Sequence, residues 1–105
     1  LITDIRNTTP SGVQTGFGVL VDAADAVVRN NDIRNYQKAG VVVFGPGSAT
    51  IRNNTIQGDG PTAVIAQLGI QVSDGADAVV AGNRVSDNDY TGPEENGEAA
   101  GIVLF

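Results

Sequence analysis

Short segments of alternating hydrophobic and polar positions recur along the chain, and one of them follows a glycine each time. The four copies are Gly18-Val19-Leu20-Val21, Gly40-Val41-Val42-Val43, Gly69-Ile70-Gln71-Val72 and Gly101-Ile102-Val103-Leu104. Alternation with a period of two is typical of β-strands that bury one face. Recurrence of the same segment indicates a stack of similar coils.

A second motif precedes an aliphatic anchor residue in each repeat. It spans residues 27–33, 50–56 and 79–85, and residues 3–7 look like a partial copy. The anchors are Ile5, Ile33, Ile56 and Val85, at spacings of 28, 23 and 29 residues. We expect these anchors to form one buried column. The glycine segments should form another, which consists of Val19, Val41, Ile70 and Ile102.

Each repeat therefore contains three short strands, and strands of three or four residues need neighbours to satisfy their backbone. Stacking successive coils at about 4.8 Å pairs every strand with its copies and buries the aliphatic columns. The sequence predicts an all-β solenoid, a single-stranded parallel β-helix of about three and a half coils. It forms one segment, residues 1–105, and 41% hydrophobic residues suffice for a continuous core.

The corner between the second and third strands has constant length and carries asparagine in every copy. Asparagine and glycine tolerate the left-handed conformation that a sharp corner needs. Stacked asparagine amides can also hydrogen-bond along a parallel stack. We therefore predict a structural ladder of Asn31, Asn54 and Asn83 rather than a ligand site.

The corner between the third strand and the next glycine varies, with 13, 7, 13 and 16 residues from anchor to glycine. Insertions at one corner of a solenoid commonly build its binding face. Three long loops result, residues 7–17, 57–68 and 86–100. The last one supplies the candidate binding residues Asp87, Asp89, Tyr90 and Glu94. A solvated acidic loop without a ligand is the alternative.

Beside these loops, Leu20, Val42, Gln71 and Val103 should point outward from the first strands. Such a column needs a cover. We expect residues 64–68 to supply it through Val64, Ile65 and Leu68, and a platform for sugar rings is the alternative.

Arginines should stack on the outside of the helix, Arg29 on Arg52 and Arg6 on Arg34. Like charges on neighbouring strands are unfavourable unless a negative group intervenes. Asp4 and Asp32 could screen them. Alternatively, paired guanidinium groups could bind an anionic sugar such as a uronate. The candidate binding residues of this kind are Arg29, Arg52 and Arg34.

Composition narrows the chemistry. The chain has no His and no Cys, which excludes disulfides, thiolate metal sites and imidazole bases. A net charge of -6 would repel nucleic acid and anionic lipid, so we expect neither nucleic acid binding nor membrane insertion. No cofactor is expected, although calcium could bind at the corner after the first strand. The acidic residues there are Asp22, Asp25, Asp74 and Asp77.

The Arg-Asn-Asn-x-Ile signatures at residues 29–33 and 52–56, with their glycine segments, resemble those of right-handed parallel β-helix repeat proteins. Residues 60–72 are similar to a segment of secreted bacterial members without an assigned activity. The pectate-lyase-like superfamily that the chain resembles includes pectate lyases, polygalacturonases and alginate epimerases. The resemblance implies a right-handed coil, polysaccharide as the ligand class, and an extracellular or cell-surface location.

Catalytic residues do not carry over from these relatives. Their Gly-His-Gly and Asp-Pro-His motifs need histidine, which this chain lacks, so no catalytic or metal-binding residue is assigned. Two functions stay open. The chain is a non-catalytic scaffold or carbohydrate-contacting segment, or it belongs to a lyase, epimerase or hydrolase of uronate-containing glycans whose catalytic residues lie outside it. Since both ends are apolar, we expect the solenoid to continue end to end with further coils.

Overall fold

The computed structural model describes residues 1–105 and consists almost entirely of short β-strands. The ten strands are β1 (Phe17–Asp22), β2 (Ala26–Arg29), β3 (Asp32–Arg34), β4 (Ala39–Phe44), β5 (Gly47–Arg52), β6 (Thr55–Thr62), β7 (Leu68–Ser73), β8 (Ala76–Ala81), β9 (Arg84–Tyr90) and β10 (Ala100–Leu104). One 3-10 turn, Glu94–Asn96, interrupts the last long connection. The structure contains no helix with the length and apolarity needed to cross a membrane.

The strands form three parallel sheets that the chain visits in turn. The first sheet has the order β1-β4-β7-β10, the second β2-β5-β8, and the third β3-β6-β9. Every strand pairs with the equivalent strand of a neighbouring coil. The prediction of a parallel β-helix with three short strands per coil is confirmed.

Aliphatic columns fill the space between the three sheets. Val41 stacks between Val19 and Ile70, and Ile56 stacks between Ile33 and Val85. The members in the central coils are fully buried, whereas Ile102 of the last strand is 48% exposed. The predicted registers of these two columns are confirmed from Val19 to Ile102 and from Ile33 to Val85.

The glycine at the second position of β1, β4 and β7, all strands of the first sheet, is required by packing. A β-carbon on Gly18, Gly40 or Gly69 would collide with the anchor side chain of the same coil. The anchor therefore packs directly on the glycine backbone. Because the glycine of one segment contacts the anchor residue of the other, the two motifs recur together in each coil.

The prediction that Ile5 begins the anchor column is wrong. Ile2 pairs with Ile33 instead, and Ile5 is 39% exposed. The stacking of Arg6 on Arg34 is wrong for the same reason, a shift of three residues. In the observed register Arg6 reaches the carboxylate of Asp59, so its charge is neutralised instead of facing a second guanidinium.

Candidate functional site

The variable corner, which we call the loop corner, joins the third sheet to the first. Two of its loops are shorter than predicted, because β6 and β9 stay paired beyond a bulge and end at Thr62 and Tyr90. The remaining connections pack side by side. Thr91 N donates to Thr62 O at 2.9 Å, and Gln37 Nε2 donates to Val13 O at 2.8 Å. The loop corner is therefore one continuous wall.

An ion pair and a buried glutamine stabilise the packing of the loop corner. Arg6 donates to both oxygens of Asp59 at 2.8 Å and to the backbone oxygens of Asn35 and Tyr36. Gln67 is fully buried, and its amide nitrogen donates to the same Asp59 carboxylate and to Tyr36 O. These bonds satisfy groups that would otherwise be buried without partners.

Tyr36 lies beneath the wall with its ring buried. Its hydroxyl donates to Asn88 Oδ1 at 2.6 Å, which joins the connection between β3 and β4 to β9. Desolvation by burial raises the pKa of Tyr36 well above its ordinary value. The phenol therefore stays protonated, and its role here is structural.

An open depression lies beside the wall on the outside of the first sheet, and we call it the outer groove. Its volume is about 420 Å³. Its lining residues are Gln14, Phe17, Lys38, Leu68, Gln71, Glu98, Val103 and Phe105. Half of them are apolar and lie on β1, β7 and β10 or at their ends. The others supply amide and charged groups, so the groove combines an apolar floor with hydrogen-bonding groups.

The floor forms because the outward residues of the first sheet pack on one another. Val42 is buried against Ala39 and Leu68. The predicted cover is only partly right: Leu68 belongs to β7, but Val64 and Ile65 lie at the loop corner beside Gly12 and not over this face. The backbone of their segment packs against the first loop, where Val64 O would be 3.4 Å from a β-carbon on Gly12.

Lys38 stands where the loop corner meets the outer groove. Its ammonium group donates to Ala66 O at 2.6 Å. Desolvation by burial lowers the pKa of Lys38 below its ordinary value. The backbone contact fixes the cation at the wall of the groove, which the exposed Glu98 also lines.

Three of the four candidate binding residues predicted in the last loop lie together. Asp89, Tyr90 and Glu94 surround a polar depression of about 300 Å³. Asp87 does not line this depression, and its carboxylate accepts hydrogen bonds from Gln57 and Ser86. Residues 86–90 were predicted to be loop, but they belong to β9. No group of three or more His, Cys, Asp or Glu side chains is arranged to hold a metal ion.

The predicted basic candidates occupy two different faces. Arg29 and Arg52 lie opposite each other on the second sheet, in the predicted register. Arg34 lies on the third sheet, 3.9 Å from Asp32. Of the two acids predicted to screen the arginines, Asp32 lies beside Arg34, whereas Asp4 pairs with no arginine and accepts a hydrogen bond from the Asn35 amide. The predicted binding residues therefore do not form one site.

The corner between the second and third sheets, which we call the asparagine corner, has a repeating hydrogen-bond pattern. Asn31 Nδ2 donates to Asn54 Oδ1 at 3.1 Å, and Asn54 Nδ2 donates to Asn83 Oδ1 at 2.9 Å. The same oxygens accept from the backbone N–H groups of Asn31 and Asn54. Asn54 is buried, whereas Asn31 and Asn83 are partly buried, and the hydrogen bonds between these side chains stabilise the corner.

Sequence reasoning missed Gln14 and Glu98 as lining residues, and it did not assign Lys38 to a site. They come from different connections and share no repeat position. One signal was present: Gln71 is the one polar residue in an outward column of Leu20, Val42 and Val103. A polar residue in this otherwise apolar column indicates the part of the first sheet that lines the groove.

Comparisons of the chain with curated proteins and with solved structures found no match. The model of a protein family described as a right handed beta helix region matches residues 3–105. This match covers nearly the whole chain and agrees with its parallel sheets. The chain therefore belongs to the right-handed β-helix family.

Proposed function

We propose that the chain is a non-catalytic scaffold segment of an extracellular β-helix protein and that it contacts polysaccharide through the outer groove. The observation that carries this proposal is the composition of the groove. An apolar floor that includes Phe17 and Val103 lies next to the amides of Gln14 and Gln71. Binding sites for small molecules commonly combine such a floor with a few polar groups.

Sugar rings match this combination. The C–H face of a pyranose can be removed from water against Phe17 and Leu68, and the ring hydroxyls can bond with amide and charged groups. The groove is open at the surface rather than enclosed, which suits part of a chain better than a small ligand. The ordered loop corner beside it forms a fixed wall.

The scaffold part of the proposal rests on how the polar groups of the loop corner are used. Arg6, Gln67 and Tyr36 all hydrogen-bond to groups within the chain. Each of them joins two coils or two connections. Their contacts hold the wall in place and leave the outer groove as the surface for a partner.

The test is an array of neutral and acidic oligosaccharides probed with the purified chain, followed by titration of those that bind. We expect Gln71→Ala to weaken binding by about fivefold, because one hydrogen bond contributes about 1 kcal/mol. Gln57→Ala is the matched control, since Gln57 is exposed on the third sheet and away from the groove. Equal weakening by both variants, or no binding to any saccharide, would contradict the proposal.

A further inference from the structure

Two arginines lie at the same level on adjacent strands of the second sheet. Arg29 of β2 is directly opposite Arg52 of β5, and neighbouring strands are about 4.8 Å apart. Both side chains are exposed. Neither has a carboxylate partner, since the two ion pairs of the chain use Arg6 and Arg34.

This arrangement carries an electrostatic cost. Like charges directly across neighbouring strands are destabilising, and here no acidic group of the chain offsets the repulsion. A local arrangement that breaks such a rule without compensation is expected at a functional site. An anion placed between the two guanidinium groups would remove the repulsion and gain charge-assisted hydrogen bonds.

We propose that Arg29 and Arg52 form a binding site for an oxyanion, a carboxylate or sulfate group carried by an acidic polysaccharide. The guanidinium group presents a planar fork of donors that matches such a group. The guanidinium groups of Arg29 and Arg52, from consecutive coils, both donate hydrogen bonds to one oxyanion. The pair lies on the second sheet, away from the outer groove, so this site does not depend on the function proposed above.

The surroundings of the pair fit a sugar acid. A surface depression of about 550 Å³ is lined by Val27, Arg29, Thr50 and Arg52. Thr50 adds a hydroxyl that can donate to the same oxyanion. Val27 is 64% exposed and offers an apolar surface to the carbons of a sugar ring. Charged groups, a hydroxyl and apolar surface thus lie together on one face of the second sheet.

The same sheet also determines how a polyanion can lie. Two acidic residues lie four residues before the arginine row, about 13 Å away at 3.3 Å per residue: Asp25 immediately before β2 and Asp77 near the start of β8, with Ser48 of β5 between them. A polyanion lying along a strand would meet these carboxylates. It therefore runs across the strands, parallel to the axis of the solenoid. The third position of the arginine row is Ala81, so the site is limited to the two arginines.

The experiment is an NMR titration of the intact chain that follows the arginine side-chain N–H signals. The probes are trigalacturonate, sodium sulfate and the neutral trisaccharide maltotriose, at constant ionic strength. We expect trigalacturonate to shift the Arg29 and Arg52 signals saturably. Arg29→Gln and Arg52→Gln should each weaken its binding by about tenfold, because each removes a charge-assisted contact.

The matched control is Arg84→Gln. Arg84 is exposed and forms no ion pair. It lies opposite the neutral Thr55, so the variant removes one positive charge but does not separate two facing arginines. It should change affinity by less than about twofold. Maltotriose carries no oxyanion and should leave the Arg29 and Arg52 signals unchanged, which separates this site from a groove that binds neutral sugars.

Thermal unfolding gives a second measurement. The arginine variants should be at least as stable as the natural chain, and trigalacturonate should raise the Tm of the natural chain but not of Arg29→Gln. Unsaturable shifts, or equal losses in Arg84→Gln, would overturn the proposal. Sulfate binding as tightly as trigalacturonate would retain the oxyanion site and overturn the polysaccharide as its source.

Discussion

The asparagine corner and the loop corner stabilise the same solenoid in different ways. At the asparagine corner one residue type repeats in three coils, and each side chain bonds to the next copy of itself. At the loop corner the contacts are all different, such as Arg6 with Asp59 and Tyr36 with Asn88. The first corner is periodic, whereas the second is assembled from individual contacts.

This difference teaches where a β-helix can acquire function. A periodic corner depends on every copy, because each amide satisfies backbone groups of the neighbouring coil. An individually assembled corner tolerates changes in length, as its connections show, and its side is where the outer groove lies. Stability is thus concentrated on one side of the coil and variation on the other.

The largest effect is expected at the asparagine corner. The buried Asn54 side chain makes four hydrogen bonds, two as acceptor and two as donor. We expect Asn54→Ala to lower the free energy of unfolding by about 3 to 5 kcal/mol, because several buried polar groups lose their partners. Denaturant unfolding monitored by circular dichroism measures this loss.

Asn31→Ala is the control, because Asn31 has the same residue type at the end of the column and is only partly buried. Its side chain bonds to one other asparagine rather than two. A loss of about 1 kcal/mol is expected for it. If Asn54→Ala cost no more than Asn31→Ala, the column would not be the stabilising element that distinguishes this corner.

The register of the first coil depends on the loop corner, and a pair of variants tests it. Ile2 packs partly against the core, whereas Ile5 is 39% exposed. We expect Ile2→Ala to cost about 1 to 2 kcal/mol and Ile5→Ala less than about 0.5 kcal/mol in unfolding free energy. Urea unfolding of the two variants side by side provides the measurement, and a larger loss for Ile5→Ala would restore the register that the repeat predicted.

The start of the chain shows which features of the fold can be predicted from the sequence. Strand positions, buried columns and stacking follow from repetition, because each coil must offer matching side chains to the next. Residues 4–7 repeat the letters of residues 32–35, yet they occupy a different place. The deciding contact, Arg6 with Asp59, joins residues 53 positions apart and has no copy in another coil. A unique long-range contact leaves no periodic signal.

The candidate site was predictable to the same extent. Variable spacing identified the loop corner, and alternation identified the outward face of the first sheet. The individual lining residues, such as Gln14 and Glu98, were not predictable, since their positions depend on how non-repeating connections pack. The opposed Arg29 and Arg52 were predicted correctly because both occupy repeat positions.

The smallest effect is expected for the ion pair at the loop corner. The side chains of Arg6 and Asp59 are 19% and 31% exposed, and a single guanidinium nitrogen contacts both carboxylate oxygens. A double-mutant cycle with Arg6→Gln and Asp59→Asn should give a coupling energy of about 0.5 to 1 kcal/mol, because solvent screens a partly exposed pair. The control cycle uses Arg34→Gln and Asp32→Asn, whose charged groups are 3.9 Å apart with both side chains 49% exposed. That coupling should be close to zero. Equal coupling in the two cycles would mean that Arg6 is no more than a surface charge, and that backbone contacts alone fix the first coil and the wall beside the outer groove.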